Sequence, residues 1–554
     1  MTKKTKRPKP ATKAGANTSR SSSRWCVVLL GIVVLFFSLI RIRLLNMPLE
    51  RDEGEYAYAG QLMLQGVPPY VLAYNMKLPG TYAAYSLIMA GFGQSPAGIH
   101  IGLLLVNAGT AILLFFLVQR LFGSLAGLAA GSSYALLSTS ASVLGFAAHA
   151  THFVALAAVG GLLLLLKAMD SRRMFLNVLS GFLLGVAFVF KQPGIFFVLF
   201  GGLFLFVKEW GCKDWRGLSR HVGAYSAGAA LPLALTCGIL FFAGVLGKMW
   251  FWTFSYGTQY ASSLTLAQGW QQFLGTAPSV IEPAWFVWVL AGLGLVALAW
   301  DFRIWQNTVF AIGFLLFSWA AVCPGLYFRQ HYFIVMLPAV CLLVGVGVSV
   351  AERELSRHFR NSPIRFVPLL VLLAAMVVSV VGQSEAFFQL DPVVLCRYIY
   401  GNNPFPEAQT IAEYLERNTP PQARIAVLGS EPEIYFYSRR HSATGYIYTY
   451  PLMEDQKYAL DMQKEMVKEI ESSRPDFMVF VQIPLSWLAS SESNPYILDW
   501  FGKYVAENYE LAGIVDEVTP ETQFLWGDAA KSYHVQSGAS LSVFKRRNAA
   551  PSQP

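Results

Sequence analysis

The chain has 554 residues, 55% of them hydrophobic and only 14% charged, a balance that excludes an ordinary water-soluble globular protein. Its net charge of +9 does not mark a nucleic-acid binder, because a membrane topology accounts for where the basic residues fall. The composition reads as a polytopic all-α membrane bundle, since backbone groups in lipid must pair within their own helices.

Residues 1–24 carry Lys3, Lys4, Lys6, Arg7, Lys9, Lys13, Arg20 and Arg24 among Ser, Pro and Ala, and are expected to form a disordered basic cytoplasmic tail. The run that follows, "WCVVLLGIVVLFFSLI" (25–40), is too long for a removable signal and lacks a small-residue cleavage site after it. Spans are expected near 25–45, 98–119, 124–142, 147–168, 174–190, 194–208, 222–246, 284–301, 304–323, 332–350 and 366–384, about eleven in all. With the N-terminus inside, the cytoplasmic turns hold Arg120, Lys167, Arg172, Arg173, Lys208, Lys213, Arg216, Arg220, Arg303, Arg353, Arg357, Arg360 and Arg365. Basic residues are scarce on the other face, which fits that orientation.

The bundle therefore covers 25–384, with long outer loops at 46–97 and 247–282. The second loop holds Trp250, Trp252, Tyr256, Tyr260 and Trp270, a density of aromatics suited to the headgroup layer. An odd number of spans leaves 385–554 outside.

From about residue 400 the composition becomes that of a soluble domain. "FPEAQTIAEYLERNTPP" and "YALDMQKEMVKEIESSRP" read as amphipathic helices, "ARIAVLG" and "DFMVFVQI" as buried strands, and "YILDWFGKYVAENYELAGIV" and "SLSVFKRR" as extensions of the same layer. The alternation predicts a small exported α/β domain. "SEPEIYFYSRRHSATGYIYTYP" (430–451) reads as a packed strand and turn, and no glycine fingerprint for a nucleotide is present.

Of the six cysteines, Cys26, Cys212, Cys237, Cys323, Cys341 and Cys396, only the last lies in the exported part, so no disulfide framework is expected there. Neither CxxC nor HExxH occurs, and no metal site is assigned. Carboxylates alone can bind a divalent ion, which leaves metal dependence open.

Three carboxylates, Asp52, Glu53 and Glu55, stand at the start of "RDEGEYAYAGQLMLQG", just after the first span. A helix beginning at Asp52 would let that carboxylate act only as a cap, and Glu55 reads as part of a solvated helix face. The same outer face carries Lys77 in "NMKLPG", Lys191 in "FKQPG", and Arg329 and His331 in "GLYFRQHYF". Any one of these side chains alone reads as snorkelling to the interface. Together they form a cradle for an anion reached from the bilayer, and a lipid phosphate fits. Tyr56, Tyr82 and His152 complete the expected substrate pocket, although His149 and His152 taken singly read as core or solvated histidines.

In order and topology, "RDEGEYAYAGQLMLQG", "NMKLPG", "KQPG" and "RQHYF…LP" resemble the GT-C membrane glycosyltransferases of the glycosyltransferase 39 type, which include protein O-mannosyltransferases and lipid A aminoarabinose transferases. The similarity covers about 25–384 and extends more loosely to the exported domain. The resemblance implies a GT-C bundle and a periplasmic active site in the plasma membrane of a bacterium. It also implies a sugar carried on polyprenyl phosphate, undecaprenyl phosphate in such a cell. Asp52 matches the acidic residue that activates the acceptor, Glu53 completes the acidic pair, and Lys77 and Lys191 match lysines that hold the donor phosphate. Arg329 and His331 align near that group.

Elementary chemistry agrees. A phosphate leaving group departs as an anion and needs cations rather than an acid, so one carboxylate suffices as base and a single displacement inverts the sugar carbon. The acceptor is a hydroxyl of a glycan, a lipid or a protein. Two other classes compete: a flippase or transporter for lipid-linked sugars, and a noncatalytic envelope assembly protein.

Overall fold

The computed structural model describes residues 13–211, 213–301, 304–359, 362–518 and 521–547. Cys212, Arg303, Arg360 and the basic residues Lys3 to Lys9 lie outside the described residues. The first helix, α1, runs Lys13–Arg43, so it takes in residues 13–24 of the stretch expected to be disordered.

The first outer loop carries α2 (Arg51–Leu64) and α3 (Gly80–Phe92). The chain then re-enters the bundle through α4 (Pro96–Phe122), α5 (Ser124–Leu137), α6 (Ala150–Ser171), α7 (Met174–Phe190), α8 (Ile195–Trp210) and α9 (Trp215–Phe242). The second outer loop holds α10 (Leu246–Trp250), a π-helical turn at Phe251–Tyr256, α11 (Gly257–Ala261) and α12 (Leu266–Ile281). Four more helices, α13 (Trp285–Trp300), α14 (Trp305–Val322), α15 (Leu337–His358) and α16 (Val367–Gly382), complete the bundle.

A helix occupies every segment expected to span. Among the described residues, 7 helical stretches are by themselves long and apolar enough to cross a membrane, and Leu266–Trp300 joins α12 to α13 as one of them. The shorter apolar helices α5 and α7 pack against α4, α6, α9 and α15 inside the bundle. In α6, 78% of the most apolar window is buried, whereas α9 buries 22% and α1 and α16 bury 28%. The first is thus central, and the other three present their Leu, Val, Ile and Phe side chains to lipid, where exposure of apolar surface carries no cost.

Beyond the bundle come α17 (Pro392–Tyr400), α18 (Phe405–Asn418), β1 (Arg424–Leu428), α19 (Glu433–Ser438), β2 (His441–Ser442), α20 (Tyr450–Met453), α21 (Ala459–Ser473), β3 (Phe477–Gln482), β4 (Tyr509–Asp516), β5 (Gln523–Trp526) and β6 (Ser540–Arg546). They form a six-stranded mixed sheet in the order β2-β1-β3-β6-β4-β5. The β2-β1-β3 part is parallel, and the returning strands β6, β4 and β5 pair antiparallel. The strand expected within 430–451 is reduced to His441–Ser442; the rest is the short helices α19 and α20 joined by irregular chain.

That irregular chain is the seam with the first outer loop. Ser442 donates its backbone N–H to the Tyr58 hydroxyl at 2.7 Å, and Tyr74 donates its own to the Gly445 carbonyl at 2.6 Å. Tyr58 stacks on Tyr435 at 5.1 Å. A Cβ at Gly54 would meet the backbone nitrogen of Glu433 at 2.7 Å, and one at Gly445 would meet the Tyr74 ring at 2.2 Å, so both contacts are closed to larger residues. The C-terminal domain is thereby fixed on α2, with its tyrosine-rich segment facing the bundle.

Candidate active site

Helix α2 begins with a capping box. The Glu50 carboxylate accepts from the Glu53 N–H at 3.0 Å, and the Glu53 carboxylate accepts from the Glu50 N–H at 3.4 Å. The cap is therefore Glu50, which frees the Asp52 carboxylate from capping. One helical turn of geometry then separates the roles of the acidic cluster.

Asp52 points into a cleft of about 770 Å³ between the helical bundle and the C-terminal domain. Its Oδ1 accepts from the Lys77 ammonium at 2.9 Å and from the Tyr448 hydroxyl at 3.2 Å. The same ammonium donates to Glu55 Oε2 at 2.6 Å, and Tyr82 donates to Glu55 Oε1 at 2.5 Å. Glu55 is fully buried in this network, not on a solvated face, because it is the second carboxylate that neutralises Lys77. Lys77 also lies 4.5 Å from the centre of the Tyr56 ring. Tyr56 and Tyr82 thus support the cluster from beneath rather than line the cleft.

Burial raises the Asp52 carboxyl, but the Lys77 ammonium and its hydrogen bond, with His331 and His149 nearby, outweigh it and hold the group well below the usual carboxylate range. The Lys77 amine is lowered by burial, yet Asp52 and Glu55 raise it further, so it stays charged.

Glu53 is placed elsewhere and corrects the expectation of a catalytic pair. It is fully buried, accepts from the Ala148 N–H at 2.6 Å and meets His100 Nε2 at 3.1 Å, so it bolts α2 to α4 and to the chain leading into α6. His152 also lies outside the cleft lining: it is buried one turn inside α6, its Nδ1 3.0 Å from the Asn107 amide oxygen. Its neighbour His149, just before α6, faces the cleft instead and stacks on His331 with ring centres 4.1 Å apart and planes 10° from parallel.

Burial lowers the His149 imidazole to about 4, with Lys191 and Lys77 adding to the effect against Asp52 and Glu53. His331 is lowered well below its ordinary value by burial, His149 and Lys191. At neutral pH both rings are uncharged, so His331 offers hydrogen bonds and not the positive charge expected of it. Among the described residues, both His149 ring nitrogens and His331 Nδ1 lack a hydrogen-bond partner. Asp52 Oδ2 lies 3.8 Å from His149 Nδ1 and 3.9 Å from His331 Nε2, and these three atoms are close enough to one another to hold a divalent ion.

The "NMKLPG" and "KQPG" turns lock together. Gln192 donates to the Met76 carbonyl at 2.6 Å, Thr81 donates to the Phe190 carbonyl at 2.8 Å, and a Cβ at Gly80 would strike the Val189 carbonyl oxygen at 2.5 Å. Pro193 in the turn after α7 stops the helix, and extended backbone at Lys191 aims its side chain into the cleft over the Tyr332 ring at 4.2 Å. Burial lowers the Lys191 amine to about 7, with Lys77 and Arg329 adding to the effect against Asp52. Arg329 stands across the cleft, 5.6 Å from the centre of the Tyr327 ring, in a loop where Leu326 and Phe328 take positive φ. Among the described residues neither Lys191 nor Arg329 has a carboxylate partner. Asp52, Lys77, Lys191, Arg329 and His331 therefore share one cleft, as the sequence suggested, while His149, Tyr448 and the C-terminal wall of Tyr400, Asn403, Phe405 and Tyr450 were not foreseen in it.

A model of the dolichyl-phosphate-mannose-protein mannosyltransferase family matches residues 77–241, the part that carries both lysine turns. No curated protein matches the chain. The structure of ArnT from Cupriavidus metallidurans bound to undecaprenyl phosphate superposes with a TM-score of 0.59 at 16% identity, covering 94% of this chain and 97% of that one. The chain has the GT-C fold. The archaeal oligosaccharyltransferase AglB from Archaeoglobus fulgidus, in complex with an inhibitory peptide and a dolichol-phosphate, shares that GT-C fold with a TM-score of 0.51 at 12% identity, covering 91% of this chain and 74% of that one.

Removing the ammonium from the cluster tests the electrostatics directly. Lys77→Met leaves Asp52 and Glu55 facing each other without a cation and is expected to destabilise the purified protein by ~3 kcal/mol, read as a lower thermal midpoint in detergent. Adding Glu55→Gln to that variant is expected to restore part of the loss. An unchanged midpoint in the single variant contradicts the paired geometry.

Proposed function

We propose that the protein is an integral-membrane glycosyltransferase that moves a sugar from a polyprenyl-phosphate donor to a hydroxyl acceptor at the outer face of a bacterial plasma membrane. The carrying observation is the asymmetry of Asp52: Oδ1 is held by Lys77 and Tyr448, while Oδ2 faces a cleft that also holds Lys191 and Arg329.

In the reaction the acceptor oxygen attacks the anomeric carbon, and its proton passes to Asp52 Oδ2. The bond between that carbon and the phosphate oxygen breaks, and the lipid phosphate leaves with the electron pair. Lys191 and Arg329 face the charge that grows on it. One base with a cationic cradle gives a single displacement with inversion. The lipid phosphates in the ArnT and AglB structures support the donor class. A flippase grips a lipid phosphate equally well but has no use for a carboxylate oxygen kept open beside it. The sugar is a hexose or pentose, and a carrier of the undecaprenyl type suits a bacterial envelope. The distribution of basic residues supports a cytoplasmic N-terminus and an exported 385–554.

Replacing the base isolates chemistry from binding. Asp52→Asn keeps the size and one acceptor oxygen but cannot take a proton, so transfer is expected to fall on the order of 10³-fold while donor binding stays within a few-fold. Full turnover by this variant removes Asp52 from the mechanism.

Lys191 gives a second test through its lowered pKa. A phosphodiester donor keeps one negative charge across neutral pH, and its binding favours the protonated lysine. Affinity is therefore expected to be flat below pH 7 and to decline as pH rises above about 7, where the protein must take up a proton to bind. Lys191→Arg is expected to flatten the profile, because arginine remains charged throughout. A wild-type affinity that rises with pH contradicts the assignment.

A further inference from the structure

We propose that Tyr448, carried by the exported domain, is a positioning residue for the base, so that the domain completes the active site rather than decorating it. This rests on the glycosyltransferase reading above.

Tyr448 comes from the segment 443–449, which is neither helix nor strand and runs from β2 to α20 along the mouth of the cleft. Its hydroxyl donates to Asp52 Oδ1 at 3.2 Å, and its ring lies 5.7 Å from the Lys77 ammonium. Two donors, one from the first outer loop and one from the exported domain, thus occupy the same carboxylate oxygen. With Oδ1 held on both sides, the carboxylate plane is fixed and Oδ2 is presented to the incoming hydroxyl. A single donor would leave the carboxylate free to rotate about its last bond, since that torsion is broad.

The rest of the segment is built to hold Tyr448 there. The Thr449 hydroxyl donates to the Ser486 carbonyl at 2.9 Å, and the Thr449 backbone N–H donates to the Ser430 hydroxyl at 3.0 Å, both inside the exported domain. Arg51, next to Asp52 in α2, lies 5.4 Å from the centres of both the Phe405 and Tyr450 rings and pairs with the buried Glu431 at 3.0 Å. The chain beside Tyr448 is therefore anchored within its own domain, and Arg51 ties α2 to that domain. Arg51 and Asp52 send adjacent side chains to the same domain, one to hold it and one to be held by it.

The test compares Tyr448→Phe with Tyr446→Phe in the full-length protein reconstituted with a polyprenyl-phosphate hexose. Tyr448→Phe keeps the ring and removes only the hydroxyl. Its kcat is expected to fall on the order of tenfold, the scale of one hydrogen bond to a charged group, while the KM for the donor stays within twofold. Tyr446→Phe removes a hydroxyl from the same segment that points away from the cleft, and its kcat is expected to stay within twofold of wild type. That split separates positioning from loss of docking, which would move both variants and the donor KM together. If wild type transfers sugar, Asp52→Asn does not and Tyr448→Phe matches wild type, the positioning role is overturned while the glycosyltransferase reading stands. If wild type transfers no sugar and Asp52→Asn changes nothing, both fall.

Discussion

The Lys77 ammonium lies between the carboxylates of Asp52 and Glu55, and the cleft is arranged around that contact. A lysine with only 17% of its side chain open to solvent needs its charge answered at close range, and two carboxylates one helical turn apart on α2 answer it. Glu55 is the buried counter-charge, bonded further to Tyr82. Asp52 is the exposed member, with 20% of its side chain open to solvent. The pair gives Glu55 a structural task and leaves Asp52 Oδ2 without a hydrogen bond among the described residues, 3.8 Å from His149 Nδ1 and 3.9 Å from His331 Nε2.

The same economy governs the turns that bring the cluster together. "NMKLPG" and "KQPG" both end a lysine-bearing stretch with Pro and Gly, and both glycines sit where a Cβ would strike the backbone of α7, at Val189 for Gly80 and at Ala187 for Gly194. Pro79 leads into α3 and Pro193 follows the end of α7, glycine admits the close approach, and the lysine before them is left with its side chain directed into the cleft. Lys77 then meets carboxylates, while Lys191 meets only a tyrosine ring. Of the cations in the cleft, Lys191 and Arg329 alone remain without a carboxylate among the described residues, and these are the ones an incoming phosphate can reach.

Much of this was legible in the chain. Hydropathy marks the segments that carry the bundle helices, and the acidic stretch and the two lysine-bearing turns mark Asp52, Lys77 and Lys191, which the fold places in one cleft. In the exported part the periodicities of 405–418, 424–428, 459–473 and 477–482 mark helices and strands where the structure has them. Other features could not be read because they depend on partners distant in sequence. Glu53 and Asp52 are neighbours of the same type, and only the fold sends one to His100 and Ala148 and the other to the cleft. His149 and His152 look alike in "GFAAHATHF", yet the first lies just before α6 and the second one turn within it, and that offset decides which faces the cleft. Tyr448 is nearly 400 positions from the carboxylate it touches and sits in a segment whose tyrosines suggested a strand. The left-handed backbone at Leu326 and Phe328 beside Arg329 likewise leaves no mark in composition.

The central claim is that these groups form one cleft in which a lipid phosphate lies against Lys191 and Arg329 with the sugar carbon beside Asp52. A structure of the protein with a polyprenyl-phosphate sugar analogue tests it most directly. The account predicts the phosphate within about 4 Å of the Lys191 ammonium and the Arg329 guanidinium, with the anomeric carbon on the Asp52 side. A phosphate bound on the opposite face of the bundle, or held at the outer face with both cations turned away from it, contradicts it.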